Sequence, residues 1–171
     1  MITFGGIDPG TTGAMAVMDG DGNPYTIFDY PGEPGQLWKI LNDKFLTSLE
    51  MKLVVLEQAA IMPMERENAA GKKFKQNPKS LAIFQQNYGI WLMGIAAIGW
   101  PLELAHPMRW RKVLDSSVPD HPTKEDLLAY ARRRWPSVDF HRKADNHRAE
   151  ALMMAEYGRQ KFIGLLRKGE K

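Results

Sequence analysis

The chain has 171 residues, 44% of them hydrophobic, and no cysteine, which excludes a disulfide framework and any thiolate zinc site. It is long enough to bury one sizeable core and short for two, so a single domain over residues 1–171 is expected. The net charge of +3 is unevenly spread: residues 1–65 hold 3 Lys/Arg against 9 Asp/Glu, and residues 66–171 hold 20 against 11, a basic part suited to a polyanion such as a phosphate backbone.

Residues 3–8 (TFGGID), 13–19 (GAMAVMD) and 24–30 (PYTIFDY) are predicted strands, the last two joined by the turn GDGN, so an antiparallel meander opens the chain. Gly35 to Leu49 has apolar residues at helical spacing and is predicted as one amphipathic helix. KLVVLEQ (Lys52 to Gln58) is a continuous apolar run ending in a charge, as a central strand covered on both faces would be. Ala60 to Lys79 is polar, basic and without periodicity, and is expected to be a mobile loop. A long helix from about Ser80 to Ile98 follows, with apolar residues on more than one face, which suits core on one side and a dimer interface on the other. Then come a short strand Leu102 to His106, a short helix Pro107 to Leu114 with proline at its start, and a helix opened by the capping-box pair Thr123/Asp126 and ended by Pro136. A last helix begins near Asp145 or Asn146 and runs to about Arg167. The most apolar window, Ile90 to Trp100, is too short to span a bilayer, and the N-terminus lacks a basic segment followed by an apolar one, so a soluble cytoplasmic protein with no membrane partner is expected. The order β-β-β-α-β-α-β-α-α predicts a mixed-sheet α/β domain.

The carboxylates carry the functional signal. Asp8 ends one apolar strand and Glu57 another, and the crossover between them allows the two strands to lie parallel and adjacent, about 4.8 Å apart. Two carboxylates so close repel, unless a divalent cation neutralises them; oxygen ligands without thiolates favour Mg²⁺ or Mn²⁺. Glu150 is followed by Ala151, Leu152, Met153 and Met154, which places it on the apolar half of its helix, where a charge needs a partner. His147 and Asn146 share its face at i−3 and i−4, whereas Asp145 at i−5 is rotated away unless it sits in a frayed first turn; Asp145 also reads as a plain N-cap. Two-metal hydrolysis of a phosphodiester needs such a cluster of acids, and a polyanionic substrate suits the basic part of the chain.

These residues have a resemblance. GIDPGTTGA (Gly6 to Ala14), VVLEQ, the basic segment after it and HRAEAL (His147 to Leu152) resemble the RuvC family of Holliday junction resolvases, particularly its compact phage-type members, over nearly the whole chain; HPMRWRKVL is similar to the family's Pro-x-x-Trp-Lys region and TKEDLLAYARRRWP to the helix after it. The resemblance implies an RNase H-like fold with a mixed five-stranded sheet flanked by helices. It implies a homodimer that cuts two opposing strands of a four-way DNA junction symmetrically with Mg²⁺, for which Mn²⁺ substitutes. It would place a phage-encoded chain in the host cytoplasm. It assigns Asp8, Glu57 and Glu150 to metal binding and catalysis, and His147 to the acid-or-histidine position before the last acid. The chain departs at Asn146, where related phage sequences often place an aspartate in this run: either Asp145 supplies a fourth ligand or Asn146 is an inactivating replacement. Phe74 is the candidate for stacking on an unpaired base, or a hydrophobic anchor of the loop, with Arg66, Lys72, Lys73, Lys75 and Lys79 for phosphates. Arg109 and Lys112, in the Pro-x-x-Trp-Lys-like region, are counted with them as DNA-binding candidates. Arg132, Arg133 and Arg134 suit a solvated basic face or a junction arm.

Three other readings share these features. One is a non-catalytic module that binds branched nucleic acid on the same fold. Another is a nuclease for other branched or single-stranded DNA. GIDPGTTG also resembles the phosphate hairpin of the actin and Hsp70 superfamily, although no second Asp-Gly-Gly-Thr-like hairpin is present.

Overall fold

The computed structural model describes residues 1–58, 65–67, 73–75, 77–142 and 145–169. The meander forms as expected: β1 (Ile2–Asp8), β2 (Ala14–Asp19) and β3 (Pro24–Asp29) pair antiparallel in sequence. The segment predicted as one helix breaks in two, α1 (Pro34–Leu41) and α2 (Lys44–Thr47), because the Asp43 carboxylate accepts the Phe45 N–H at 2.8 Å and starts a second helix after Asn42 has capped the first. Next comes β4 (Glu50–Glu57), parallel to β1. Within the segment expected to be a loop, β5 (Glu65–Glu67) and β6 (Lys73–Lys75) form a separate antiparallel ribbon in which Arg66 is the register partner of Phe74, a correction to that expectation. Lys72 lies outside the described residues.

α3 (Pro78–Ile98) is opened by the Asn77 side chain on the Lys79 N–H and closed by Gly99 at φ 78°, a left-handed stop that suits glycine. By length and composition it could cross a membrane, which the shorter Ile90–Trp100 window did not suggest; in the fold, Asn87, Trp91 and Ile95 turn inward, the latter two packing with the sheet. β7 (Leu102–Ala105) adds to β4 in parallel, giving the sheet order β3-β2-β1-β4-β7. The predicted helix at Pro107 shortens to α4 (Pro107–Trp110) and continues as a 3-10 turn (Arg111–Val113). α5 (Lys124–Arg134) carries the complete capping box, with the Asp126 N–H on Thr123 Oγ1 and the Thr123 N–H on the Asp126 carboxylate. The chain's last helix is α6 (Asn146–Gly169).

Strand alternation sorts the side chains into two cores. Phe4 and Val55 pack with α5 and α6 on one face of the sheet; Ile7, Val54 and Leu56 pack with α1 and α3 on the other. The α6 side is unusually close. A Cβ on Gly6 would lie 2.0 Å from the Ala151 carbonyl oxygen and 2.3 Å from the Ala155 nitrogen, so the helix backbone rests directly on β1. That close packing brings the start of α6 to the carboxyl ends of β1 and β4.

The three arginines at the end of α5 are engaged within the fold. Arg132 donates to the Phe140 carbonyl at 3.1 Å through Nε, Arg133 to Ser117 Oγ at 2.7 Å, and Arg134 lies 3.8 Å from Glu156.

Candidate metal centre

Asp8 shares the parity of Phe4 and Gly6 and therefore faces α6, and Glu57 shares that of Val55. The β1/β4 register pairs Ile7 with Leu56, so the next two residues, Asp8 and Glu57, fall side by side under α6. Glu150, on the second turn of α6, completes the group: one carboxylate oxygen from each of Asp8, Glu57 and Glu150 lies within 4.8 Å of the others. Three residues from two strands and a helix, far apart in sequence, thus form one acidic cluster.

The Gly/Thr turn after β1 fixes the first acid. The Gly10 N–H donates to Asp8 Oδ1 at 3.0 Å, and the Gly13 N–H closes the turn on the Gly10 carbonyl at 2.9 Å. A Cβ on Gly13 would lie 2.1 Å from the Asp8 carbonyl oxygen, so the turn closes this tightly only with glycine there. The other oxygen, Asp8 Oδ2, hydrogen-bonds His147 Nδ1 at 2.5 Å, and His147 Nε2 is in turn 2.9 Å from Thr12 Oγ1. The hydrogen bond to Asp8 raises the His147 pKa.

The electrostatics mark an incomplete charge balance. Burial, then the Asp8 charge, pushes Glu57 up to about 8 and Glu150 up to about 7. Arg111 and Lys124 pull both back toward ionisation from a distance, and among the described residues neither glutamate has a salt bridge. Half-buried carboxylates that resist ionisation together are a donor set for a hard divalent cation, which would stabilise all three as anions. The residues therefore fit Mg²⁺ or Mn²⁺.

The group opens into a cleft of about 350 Å³, whose lining includes Asp8, Glu57, His147, Glu150 and Lys124 together with Leu81, Phe84 and Pro107. Asp145, one of the two alternatives read from the sequence for a fourth ligand, is not among the three carboxylates that meet. Fully buried just before α6, its carboxylate accepts the Arg142 N–H at 2.7 Å and Arg142 Nε at 2.9 Å, with Arg148 Nε at 3.8 Å. The same two arginines bind Asp29 at the end of β3, Arg148 through Nε at 2.6 Å and Nη2 at 2.8 Å. Asn146 is buried in the first turn of α6.

Lys79, Arg109 and Lys112 are exposed on the elements that border the cleft, whereas the side chains of Arg66, Lys73, Phe74 and Lys75 lie outside what the structure describes. Sequence reasoning missed Thr12, Arg111 and Lys124. Thr12 belongs to the turn already singled out, but nothing local points its hydroxyl at a histidine 135 residues away. Lys124 follows a legible N-cap, and only the packing of α5 turns it to the cleft.

No protein-family model and no curated protein matches this sequence. Among solved structures, Thermus thermophilus RuvC in complex with a Holliday junction substrate aligns with a TM-score of 0.63 at 16% identity, covering 96% of this chain and 97% of that one. A second structure of Thermus thermophilus RuvC gives 0.60 at 18% identity, over 95% of this chain and 96% of that one. Identity at this level speaks to architecture, and the chain accordingly has the fold of RuvC, an RNase H-like mixed five-stranded sheet flanked by helices.

Proposed function

We propose that this chain is a divalent-metal-dependent endonuclease that resolves four-way DNA junctions by nicking two opposing strands symmetrically. The observation that carries the reading is the meeting of Asp8, Glu57 and Glu150 within 4.8 Å at the floor of an open cleft. The likeness in fold to a protein solved with a Holliday junction supports the choice of substrate. Asp8, Glu57 and Glu150 would hold Mg²⁺ or Mn²⁺, which when bound would supply activation of water and stabilisation of the leaving 3′ oxygen. His147 keeps Asp8 in place through one ring nitrogen while Thr12 holds the other. Lys124 and Arg111 offset the negative charge that a phosphodiester brings to the cleft, and exposed Lys79, Arg109 and Lys112 border it for the flanking phosphates.

Paired nicks require two sites facing two strands, which a homodimer supplies. The outer face of α3 supports this arrangement: exposed Met93, with Trp38 and Ile90, lines an apolar groove of about 500 Å³ between α1 and α3. Light scattering of the native chain and of Met93→Glu tests it, a dimer that becomes a monomer being the expected result.

The function itself is tested by cleavage of a synthetic mobile four-way junction, a duplex and a single strand, each with Mg²⁺, Mn²⁺ or EDTA, using the native chain, Asp8→Asn and Asn146→Asp. Metal-dependent paired nicks in the junction, lost in Asp8→Asn, are expected. Equal cutting of all three DNAs would reduce the reading to a general nuclease. One observation favours a binding module on the same fold: Asp145 is held by arginines, so that among the described residues three carboxylates and one histidine meet at the centre. Junction binding without cutting by the native chain and by Asn146→Asp would establish that module.

A further inference from the structure

The cleft has a side that metal chemistry does not use. Leu81 and Phe84 stand one turn apart on the first two turns of α3 and line the same cavity as Asp8, Glu57 and Glu150. Both are half-buried, yet among the described residues neither belongs to either hydrophobic core, whereas Tyr88 and Trp91, farther along α3, do. Pro9 and Pro107 extend the apolar lining beside the acids. Among the described residues, folding has placed an aromatic ring and a leucine beside a carboxylate cluster without giving them a place in either core.

We infer that Phe84 and Leu81 form the seat for the nucleoside next to the phosphodiester held at the carboxylates. The inference rests on the nuclease reading above and adds a binding subsite to it. Cations and the phosphate use the acidic end with Lys124; the base, which every nucleotide presents as an apolar π-face, requires an apolar aromatic surface within one nucleotide's reach of the phosphate. A cavity of about 350 Å³ lies in the size range of small-molecule sites and exceeds what ions and one phosphate group fill. Stacking of this kind tolerates any base, so the wall orients the strand for attack without itself dictating sequence. By fixing the neighbouring nucleoside it fixes the angle of the phosphodiester over the acids.

The test uses the full chain and a four-way junction whose cleavage positions have been mapped in Mg²⁺. An abasic tetrahydrofuran residue replaces the nucleoside on the 5′ or the 3′ side of the cut phosphodiester, and single-turnover cutting rates are compared with intact DNA. For the native chain, abasic DNA on one side is expected to be cut about tenfold more slowly. Phe84→Ala is expected to cut both DNAs at the same slow rate, erasing the ratio, while Phe84→Tyr restores it. Should Phe84→Ala not fold by thermal melting, Leu81→Ala carries the same comparison and is expected to shrink the ratio.

Equal cutting of intact and abasic DNA by the native chain at both positions would overturn the inference. So would a ratio unchanged by Phe84→Ala or Leu81→Ala, which would leave the wall a purely structural element. Either result leaves metal-dependent junction cutting intact. Absence of cutting in any DNA would instead remove the nuclease reading, and this subsite with it.

Discussion

Two carboxylate groups sit within two turns of each other at the start of α6, and they are built in opposite ways. Asp145, with Asp29 from β3, is met by Arg142 and Arg148 in a network that neutralises both acids. The side chain of Asp145 is 0% exposed, which a carboxylate tolerates only when paired and hydrogen-bonded. Farther along the same helix, Glu156 is 2% exposed and treated likewise, with Arg159 donating at 2.7 and 2.8 Å. Between them, Glu150 joins Glu57 and Asp8 with no salt bridge to either glutamate among the described residues. Where the fold needs a buried acid it supplies arginines; at the cleft, among the described residues, it supplies a histidine and cations farther off. An acid group short of positive charge among the described residues and open to solvent suits an external cation.

The largest expected effect comes from destroying the open group. Asp8→Asn removes one of the three carboxylates of the cluster and, on the proposed nuclease reading, is expected to slow metal-dependent cutting by about a thousandfold or more, read in single-turnover assays. In Mn²⁺ titration by calorimetry the same variant should lose measurable affinity.

Arg148→Ala attacks the closed group instead. It leaves buried Asp145 with Arg142 alone and strips Asp29 of its bidentate partner, and is expected to cost about 1–3 kcal/mol in urea unfolding. Because α6 carries both groups, metal affinity should weaken as well; a variant as stable as the native chain would show that the network holds nothing in place.

The two groups should also separate by pH. Glu57 and Glu150 have folded-state values raised to about 8 and about 7 from an ordinary 4.5. Their contribution to stability is therefore fully present below about pH 4.5 and is lost as pH rises through these values. His147, also raised, contributes with the same sign through the range above its ordinary value. In EDTA the melting temperature should fall from about pH 5 to about pH 9, and added Mg²⁺ should restore more of it at the alkaline end. The Asp29 carboxyl is lowered by Arg148 first and Arg142 further, so its contribution is present above an ordinary aspartate value and is lost only in acid. A flat profile in EDTA would mean that the open group is neutralised without metal.

The smallest effect is expected at Thr12→Val, which removes the hydroxyl that holds His147 Nε2 without touching a carboxylate. Mn²⁺ affinity should drop by about tenfold, the lower end for an outer partner of a metal site, with thermal stability unchanged.

Much of this architecture was legible in residue order. Continuous apolar strands, the Thr123/Asp126 box and the apolar run after Glu150 placed β1, β4, α5 and α6 to within a few residues, because such signals are local. The break at Asn42–Asp43 went unread: apolar spacing continued through it, while a single side-chain hydrogen bond from Asp43 decided the outcome. The strands β5 and β6 are three residues each, shorter than any periodicity can declare.

The sequence by itself determined which acids end apolar strands, and so which were candidates for a shared charge; solvation makes a lone Asp or Glu at such a position conspicuous. It did not determine their partners. Asp145, His147 and Glu150 lie within six residues of one another, yet one is bound by arginines, one by Asp8 and Thr12, and one opens to the cleft. Helical rotation sets their directions, and the resting of the α6 backbone on Gly6 sets what each direction meets. Pairing energies fall off with distance in three dimensions, and that distance is fixed only when the helix has docked on the sheet.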